Sequence, residues 1–274
     1  MVLMFNHTLP TPLNNLGAPL SPESEARWAR KPAKTCVIYV HGYGGHAVKT
    51  WGDFPDLAME RPEFQQVDLV FLGYESRSRP AVYNVGVLYQ AVCLLAEEAS
   101  KVTRRVGGPE RANDFAYESI ILVGHSLGGA LVRDVAMSAR EMRKGWADKM
   151  TLALFAPAHV GANVIELIEL SLGFLKYLGP MQAFMRVKSP VLNDLRRGSD
   201  YLNELRKKAE RIGTHCTTQA KLVVHASNDW IVFRDVFFQD PPLTPYDQHD
   251  HVSCCKPIRA LFQDPVTHLI GLMP

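Results

Sequence analysis

The sequence predicts an α/β fold in which helices cover both faces of a doubly wound, mostly parallel sheet. Five short apolar runs rich in β-branched residues end in glycines or polar residues, which is typical of strands buried on both faces. Longer stretches with an apolar face, typical of helices, alternate with these runs and favour parallel strands joined by right-handed crossovers. The 274 residues are 47% hydrophobic and 21% charged, which suits one large domain or two small ones.

The predicted elements begin at about residue 35. Residues 1–34 are rich in proline, asparagine and serine, so we expect an irregular N-terminal arm with a helical turn around residues 23–30. Residues 35–274 then form the α/β domain. The predicted strands lie in KTCVIYVHGYGG, FQQVDLVFLGYES, ESIILVG, KMTLALFAPAHVG and QAKLVVHASND, and the clearest helices are VGVLYQAVCLLAEEASKV and LGGALVRDVAMSAREMRK.

The segment between the fourth and fifth predicted strands is too long for a simple crossover. Residues 164–185 are largely apolar and carry only three charges, which an extra core helix would also explain. Ligands of such sheets bind outside the carboxyl ends of the strands, and the segment falls on that side. We therefore favour a helical cap at about residues 161–215, with Leu172, Phe174 and Leu175 as walls of an acyl-binding groove. The cap is also a candidate for peripheral contact with a membrane.

Composition excludes several classes of protein. The net charge of +2 gives no signature of nucleic-acid binding or of a polybasic membrane surface. The five cysteines show no metal-ligand spacing and two of them are adjacent, which indicates reduced thiols and a cytoplasmic setting. The sequence contains no uninterrupted run of about 20 apolar residues, the length that would predict a membrane span. The N-terminus does not resemble a signal peptide.

The stretch GHSLGG, residues 124–129, places a serine where the third predicted strand meets its helix. Gly124 and Gly128 flank Ser126 at two positions on either side, which is the spacing of a nucleophile elbow. In such an elbow the strand and helix backbones nearly touch, and the serine hydroxyl projects beyond the end of the sheet. A plain glycine-rich turn would look similar but would need no catalytic partners, so the partners have to be found elsewhere in the chain.

A nucleophilic serine needs a base and a group that orients the base, and the expected chain order is serine, acid, histidine. Asp229 follows the fifth predicted strand, although an aspartate there could equally serve a turn or a helix cap. Further on, DQHDHVSCCKP supplies two candidate bases, His249 and His251. The residues alone leave that choice open.

An oxyanion hole requires two backbone N–H groups directed at the developing negative charge. One should belong to Leu127, directly after the candidate nucleophile. The other should come from HGYGG after the first strand, where Tyr43 is the first choice and Gly44 the second. A phosphate-binding loop is the competing interpretation of this glycine cluster. We reject it because the cluster lacks the Lys-Ser/Thr ending and does not run directly into a helix.

Several motifs together resemble one known family. HGYGGHAVKTW, GYES, ILVGHSLGG, APAHVGA, DLRRGSDYLNEL and DHVSCCKP occur in the order of the lipase-like branch of the α/β-hydrolases that includes GPI inositol-deacylases and the serine-active-site proteins of phosphatidylglycerol remodelling. The resemblance covers about residues 35–260 and implies the α/β-hydrolase fold. It implies serine ester hydrolysis by Ser126, Asp229 and His251. A histidine followed by Val-Ser-x-x-Lys-Pro matches the family position, which decides against His249.

The leading hypothesis is therefore a serine esterase or lipase that cleaves small-molecule or lipid esters through an acyl-enzyme, without a metal or cofactor. A phospholipase, thioesterase or acyltransferase would use the same residues, because fold and triad do not fix the substrate. The contrasting hypothesis is a catalytically silent interaction module. The complete set of catalytic elements argues against it.

Overall fold

A mixed sheet forms the centre of the protein. The computed structural model describes residues 6–172 and 189–274, apart from the side chains of Ser171 and Leu172. In these ranges the sheet has eight strands in the order β1-β2-β4-β3-β5-β6-β7-β8. The strands are β1 (Thr11–Pro12), β2 (Glu25–Arg27), β3 (Thr35–Val40), β4 (Val67–Leu72), β5 (Ser119–His125), β6 (Met150–Phe155), β7 (Leu222–Ala226) and β8 (Thr244–Tyr246).

Strands β3 to β8 run parallel, as the alternation of strands and helices predicted. Every residue of β3, β4 and β7 is buried, because helices cover both faces of the sheet. The five strands predicted from apolar runs are confirmed as β3 to β7. The short β8, at the edge beyond β7, was not predicted.

Helices and loops connect the strands. The helices of the described ranges are α1 (Phe54–Glu60), α2 (Ala81–Glu97), α3 (Ala99–Arg105), α4 (Leu127–Glu141), α5 (Val164–Leu172), α6 (Pro190–Asp194), α7 (Asp200–Ile212) and α8 (Asp264–Ile270). Helix α4 packs against β5 and lies between α2 and α7. None of the helices in the described ranges is long and apolar enough to cross a membrane.

The N-terminal arm extends the sheet. Strand β2 pairs antiparallel with β4, and β1 pairs antiparallel with β2. Leu13, Leu16 and Trp28 are fully buried, so the arm also contributes to the hydrophobic core. The expected helical turn at residues 23–30 is therefore wrong. A strand of three residues shows no alternation in the sequence, and its partner lies about 40 residues further on.

The parallel strands bring their carboxyl ends to one edge of the sheet. The loops that leave β3, β5, β7 and β8 at this edge, together with the first residue of α4, contain all the residues predicted to carry chemistry outside the cap. Helix α5 also follows the carboxyl end of a strand, β6. The cap boundaries at about 161–215 and the domain boundary at residue 34 stay predictions.

Candidate active site

Ser126 lies in a strained turn between β5 and α4. Its backbone has φ 54° and ψ −122°, a conformation that residues other than glycine rarely adopt. A Cβ on Gly124 would lie 2.6 Å from the Cα of Gly129, and a Cβ on Gly128 would lie 2.2 Å from the carbonyl oxygen of Val40. The glycines are therefore required by the close approach of α4 to β3 and β5, as the elbow pattern predicted.

Three predicted residues from three different loops meet in one chain of hydrogen bonds. The Ser126 Oγ lies 2.9 Å from Nε2 of His251, and Nδ1 of His251 lies 2.8 Å from Oδ2 of Asp229. All three residues are buried, with exposed fractions of 1%, 3% and 3%. The other carboxylate oxygen of Asp229 accepts the backbone N–H groups of Ile231, at 2.8 Å, and Val232, at 3.3 Å.

The environment of Asp229 keeps its carboxyl ionised. Burial acts to raise its pKa, but the hydrogen bond from His251, the charge of that ring and the two backbone donors outweigh burial and lower the pKa. An ionised carboxylate only accepts hydrogen bonds, so Nδ1 of His251 carries the proton. In the neutral ring Nε2 is then the acceptor, and it faces the Ser126 hydroxyl.

His249, the alternative base, lies elsewhere. Its ring stacks on Phe262 with centroids 3.8 Å apart and meets the ring of Tyr246 edge-on at 6.2 Å. The side chain is thus part of a small aromatic cluster near the C-terminal segment. The structure brings His251, and not His249, to Ser126.

The predicted oxyanion donors belong to two different elements, the start of α4 and the loop after β3. Leu127 is the first residue of α4, so its N–H group has no partner within the helix. The N–H of Gly44 already donates to the Ser76 hydroxyl at 3.0 Å. The N–H of Tyr43 reaches no acceptor among the described residues. Of the two candidates in the HGYGG loop, Tyr43 therefore has the available donor.

A cavity of about 320 Å³ opens beside Ser126 and His251. The loop after β3 forms one side of it, and Leu167 and Leu170 of α5 form another. The predicted groove walls Leu172, Phe174 and Leu175 lie outside the described side chains. In the described part of the chain, no three His, Cys, Asp or Glu side chains are arranged to hold a metal ion.

No family model matches the sequence, and no curated protein matches it. Solved structures are similar in fold. An esterase of Pyrobaculum calidifontis superposes with a TM-score of 0.56 at 16% identity, covering 96% of this chain and 82% of its own. The mature lipase BlEst2 of Bacillus licheniformis superposes with a TM-score of 0.53 at 14% identity, covering 88% of this chain and 93% of its own. A 2-hydroxy-6-oxo-6-phenylhexa-2,4-dienoate hydrolase of Rhodococcus superposes with a TM-score of 0.50 at 16% identity, covering 96% of this chain and 98% of its own.

The chain has the α/β-hydrolase fold. The parallel strands and the elbow after β5 agree with the fold that the sequence motifs implied. Identities of 14–16% relate the chain to these structures by fold alone.

Two residues near the elbow, His125 and Lys256, were assigned no role at the site from the sequence. His125 contacts the carbonyl oxygen of His251 through Nε2 at 2.7 Å. Burial lowers the pKa of His125 to about 3, so the ring stays neutral and donates this hydrogen bond. Lys256 lines the cavity beside Ser126. A contact across 126 residues leaves no pattern in a single sequence, whereas Lys256 was visible in the DHVSCCKP motif.

Proposed function

We propose that the protein is a serine hydrolase that cleaves carboxylic esters through an acyl-enzyme intermediate. One observation carries this proposal: an unbroken chain of hydrogen bonds runs from Asp229 through His251 to the Ser126 hydroxyl, at the edge of a cavity. A nucleophile, a base and a group that orients the base are what acyl transfer by serine requires. The motifs shared with the lipase-like α/β-hydrolases support the same reaction.

In the first half of the reaction, the Ser126 oxygen attacks the ester carbonyl while Nε2 of His251 takes its proton. The Asp229 carboxylate stabilises the resulting imidazolium and keeps the ring in its orientation. Negative charge develops on the carbonyl oxygen, and the backbone N–H groups of Tyr43 and Leu127 donate hydrogen bonds to it. His251 then gives the proton to the leaving alcohol, and the acyl group remains on Ser126.

In the second half, water replaces the alcohol. His251 accepts a proton from the water, the hydroxide attacks the acyl carbonyl, and the same two amides stabilise the second tetrahedral intermediate. Collapse returns the proton to Ser126 and releases the carboxylic acid. Phospholipase and thioesterase chemistry would follow the same course, and an acyltransferase would replace the water by an alcohol. A panel of nitrophenyl esters, phospholipids and acyl thioesters distinguishes these substrates.

The experiment that tests the function is hydrolysis of p-nitrophenyl butyrate by the wild type and by Ser126→Ala. We expect kcat to fall on the order of 10³-fold or more, because no other group takes over nucleophilic attack. Ser138→Ala, in the same helix α4 but away from the cavity, is the matched control and should stay active. A Ser126→Ala protein that folds normally and keeps a tenth of the activity would contradict the proposal.

A further inference from the structure

Lys256 is a half-buried cation that has no ion-pair or hydrogen-bond partner among the described residues. Its side chain lines the cavity beside Ser126 and His251. Among the described residues no carboxylate lies within ion-pair distance of its ammonium group, and no acceptor is hydrogen-bonded to it. Residues 1–5 and 173–188 contain no aspartate or glutamate. The described part of the chain therefore supplies no carboxylate side chain that neutralises Lys256.

The other half-buried lysines of the described chain are paired. Lys208 lies 2.7 Å from Asp134 and also contacts Glu141, and Lys144 lies 2.9 Å from Glu97. Removing an ammonium group from water is costly unless an anion or hydrogen-bond acceptors compensate for the lost hydration. Lys256 differs from these two lysines in having no such compensation from the described residues and in lining a cavity.

The backbone around Lys256 is fixed. Its N–H donates to the carbonyl of Ser253 at 3.0 Å, and the carbonyl of Pro257 accepts the N–H of Asp53 at 3.2 Å. Gly52 packs so closely that a Cβ there would lie 3.0 Å from the Lys256 Cβ. The side chain therefore starts from a defined position at the cavity wall, and its charge is near enough to contribute to the lowered pKa of His125.

The charges around the site are separated. Among the described residues that line the cavity beside Ser126 and Lys256, none carries a carboxylate. The acidic side chains Glu166, Glu169 and Asp250 line a neighbouring cavity, on the other side of His251. A substrate group that enters beside Ser126 therefore meets a positive charge. An anionic group gains an ion pair there, whereas a neutral group of the same size does not.

We propose that Lys256 binds an anionic group, a carboxylate or a phosphate, of the ester that Ser126 cleaves. The substrates of this site are then acidic esters. This inference rests on the proposed function and specifies its substrate class. Lys256 acts on binding and selectivity, since Ser126, His251 and the two backbone amides supply the chemistry.

Matched pairs of esters test this inference. In the first pair, p-nitrophenyl hydrogen adipate and its methyl ester, the charge is on the acyl side. In the second pair, hexanoyl glycerol phosphate and hexanoyl glycerol, it is on the alcohol side. We expect the wild type to prefer the acidic member of at least one pair in kcat/KM. Lys256→Met should reduce that preference about 10- to 100-fold, the range for losing a hydrogen bond to a charged group.

Two further variants separate binding from structure. Lys256→Arg keeps the charge and should retain most of the preference. Lys49→Met removes an exposed lysine one residue from the cavity-lining Thr50, and should leave the preference unchanged. A purely structural role of Lys256 would lower both members of each pair equally and reduce the melting temperature. Active enzyme with no Lys256-dependent preference in either pair would overturn the inference. Absence of hydrolysis of all four esters would instead count against the proposed function.

Discussion

The nucleophile elbow at residues 124–129 and the histidine loop at residues 247–257 are joined by two hydrogen bonds, from His125 and Ser126 to His251, but different forces hold each region in place. In the elbow, Gly124 and Gly128 leave no room for a single added carbon, so excluded volume fixes the backbone. The histidine loop contains no helix or strand. Hydrogen bonds hold it instead: Asp229 binds the His251 ring, and His125 binds the His251 carbonyl oxygen.

Because different forces hold them, the elbow and the histidine loop should tolerate different substitutions. Packing against β3 and β5 fixes the position of Ser126. A substitution that creates a backbone clash there must displace the helix, because side-chain movement cannot relieve the clash. The position of His251 depends on several separable bonds. Within the loop, Asp250 adds to them by accepting the N–H groups of Val252 at 3.0 Å and Ser253 at 2.8 Å. Loss of one bond should therefore weaken the loop by degrees.

The largest effect expected in the loop comes from only one of its two histidines. His251→Ala should lower kcat on the order of 10³-fold or more, about as much as Ser126→Ala, because serine and histidine act as a unit. His249→Ala should keep most of the activity, since its ring packs on Phe262 away from Ser126. Steady-state hydrolysis of p-nitrophenyl butyrate measures both. The reverse order of effects would show that the base is wrongly assigned.

A single methyl group should break the elbow. A Cβ on Gly128 would lie 2.2 Å from the Val40 oxygen and 2.4 Å from the His41 oxygen, so Gly128→Ala must separate α4 from β3. We expect a loss of about 3 kcal/mol or more in the free energy of unfolding, together with loss of activity. Urea denaturation gives the value.

Gly86→Ala is the matched control for this experiment. Gly86 lies in α2, where an added Cβ meets nothing within 4 Å. Alanine should therefore stabilise the helix by about 0.5–1 kcal/mol. Equal effects of the two substitutions would contradict the account of the elbow as a steric device.

The pH profile tests the loop without altering it. The base must be neutral to accept the Ser126 proton, so activity should fall on the acid side of the profile as the base takes up a proton. Burial lowers the pKa of His125 to about 3 and that of His225 to about 4, so both rings stay neutral above about pH 5. The kcat of wild type and His249→Ala should show the same acid limb. A flat profile down to about pH 5 would argue against a histidine base.

The smallest effect on activity is expected from substitutions in the predicted acyl-binding groove, which is part of neither the elbow nor the histidine loop. Replacing Phe174 and Leu175 by serine removes apolar surface from the proposed acyl site. Each buried methylene contributes about 0.8 kcal/mol, so the octanoate ester should lose several-fold more kcat/KM than the butyrate ester. Equal losses on both esters together with a lower melting temperature would show that these residues belong to the core.

The elbow could be predicted from the sequence because its cause is local. Glycines two residues on either side of Ser126 encode the close approach of strand and helix within six residues. The five buried strands were predictable for a similar reason, since continuous apolar runs mark them. Strands β1, β2 and β8 have only two or three residues, and their pairing depends on partners that the local pattern does not specify.

The loop was predictable only in part. The chain order of serine, acid and histidine led to two candidate bases, and the family motif selected His251. The available N–H of Tyr43 became evident only from the contact of Gly44 with Ser76, more than 30 residues away. Likewise, the unpaired state of Lys256 depends on which carboxylates fold near it. These features arise from long-range packing.

If the Ser126 oxygen is the nucleophile, as proposed, a reagent that reacts with activated serines should label it. The folded protein is treated with a fluorophosphonate probe, and the adduct is located by peptide mass spectrometry. We expect one adduct, on Ser126, that is absent in Ser126→Ala and forms far more slowly in His251→Ala. An adduct on another serine, or a folded wild-type protein that acquires none, would contradict the account.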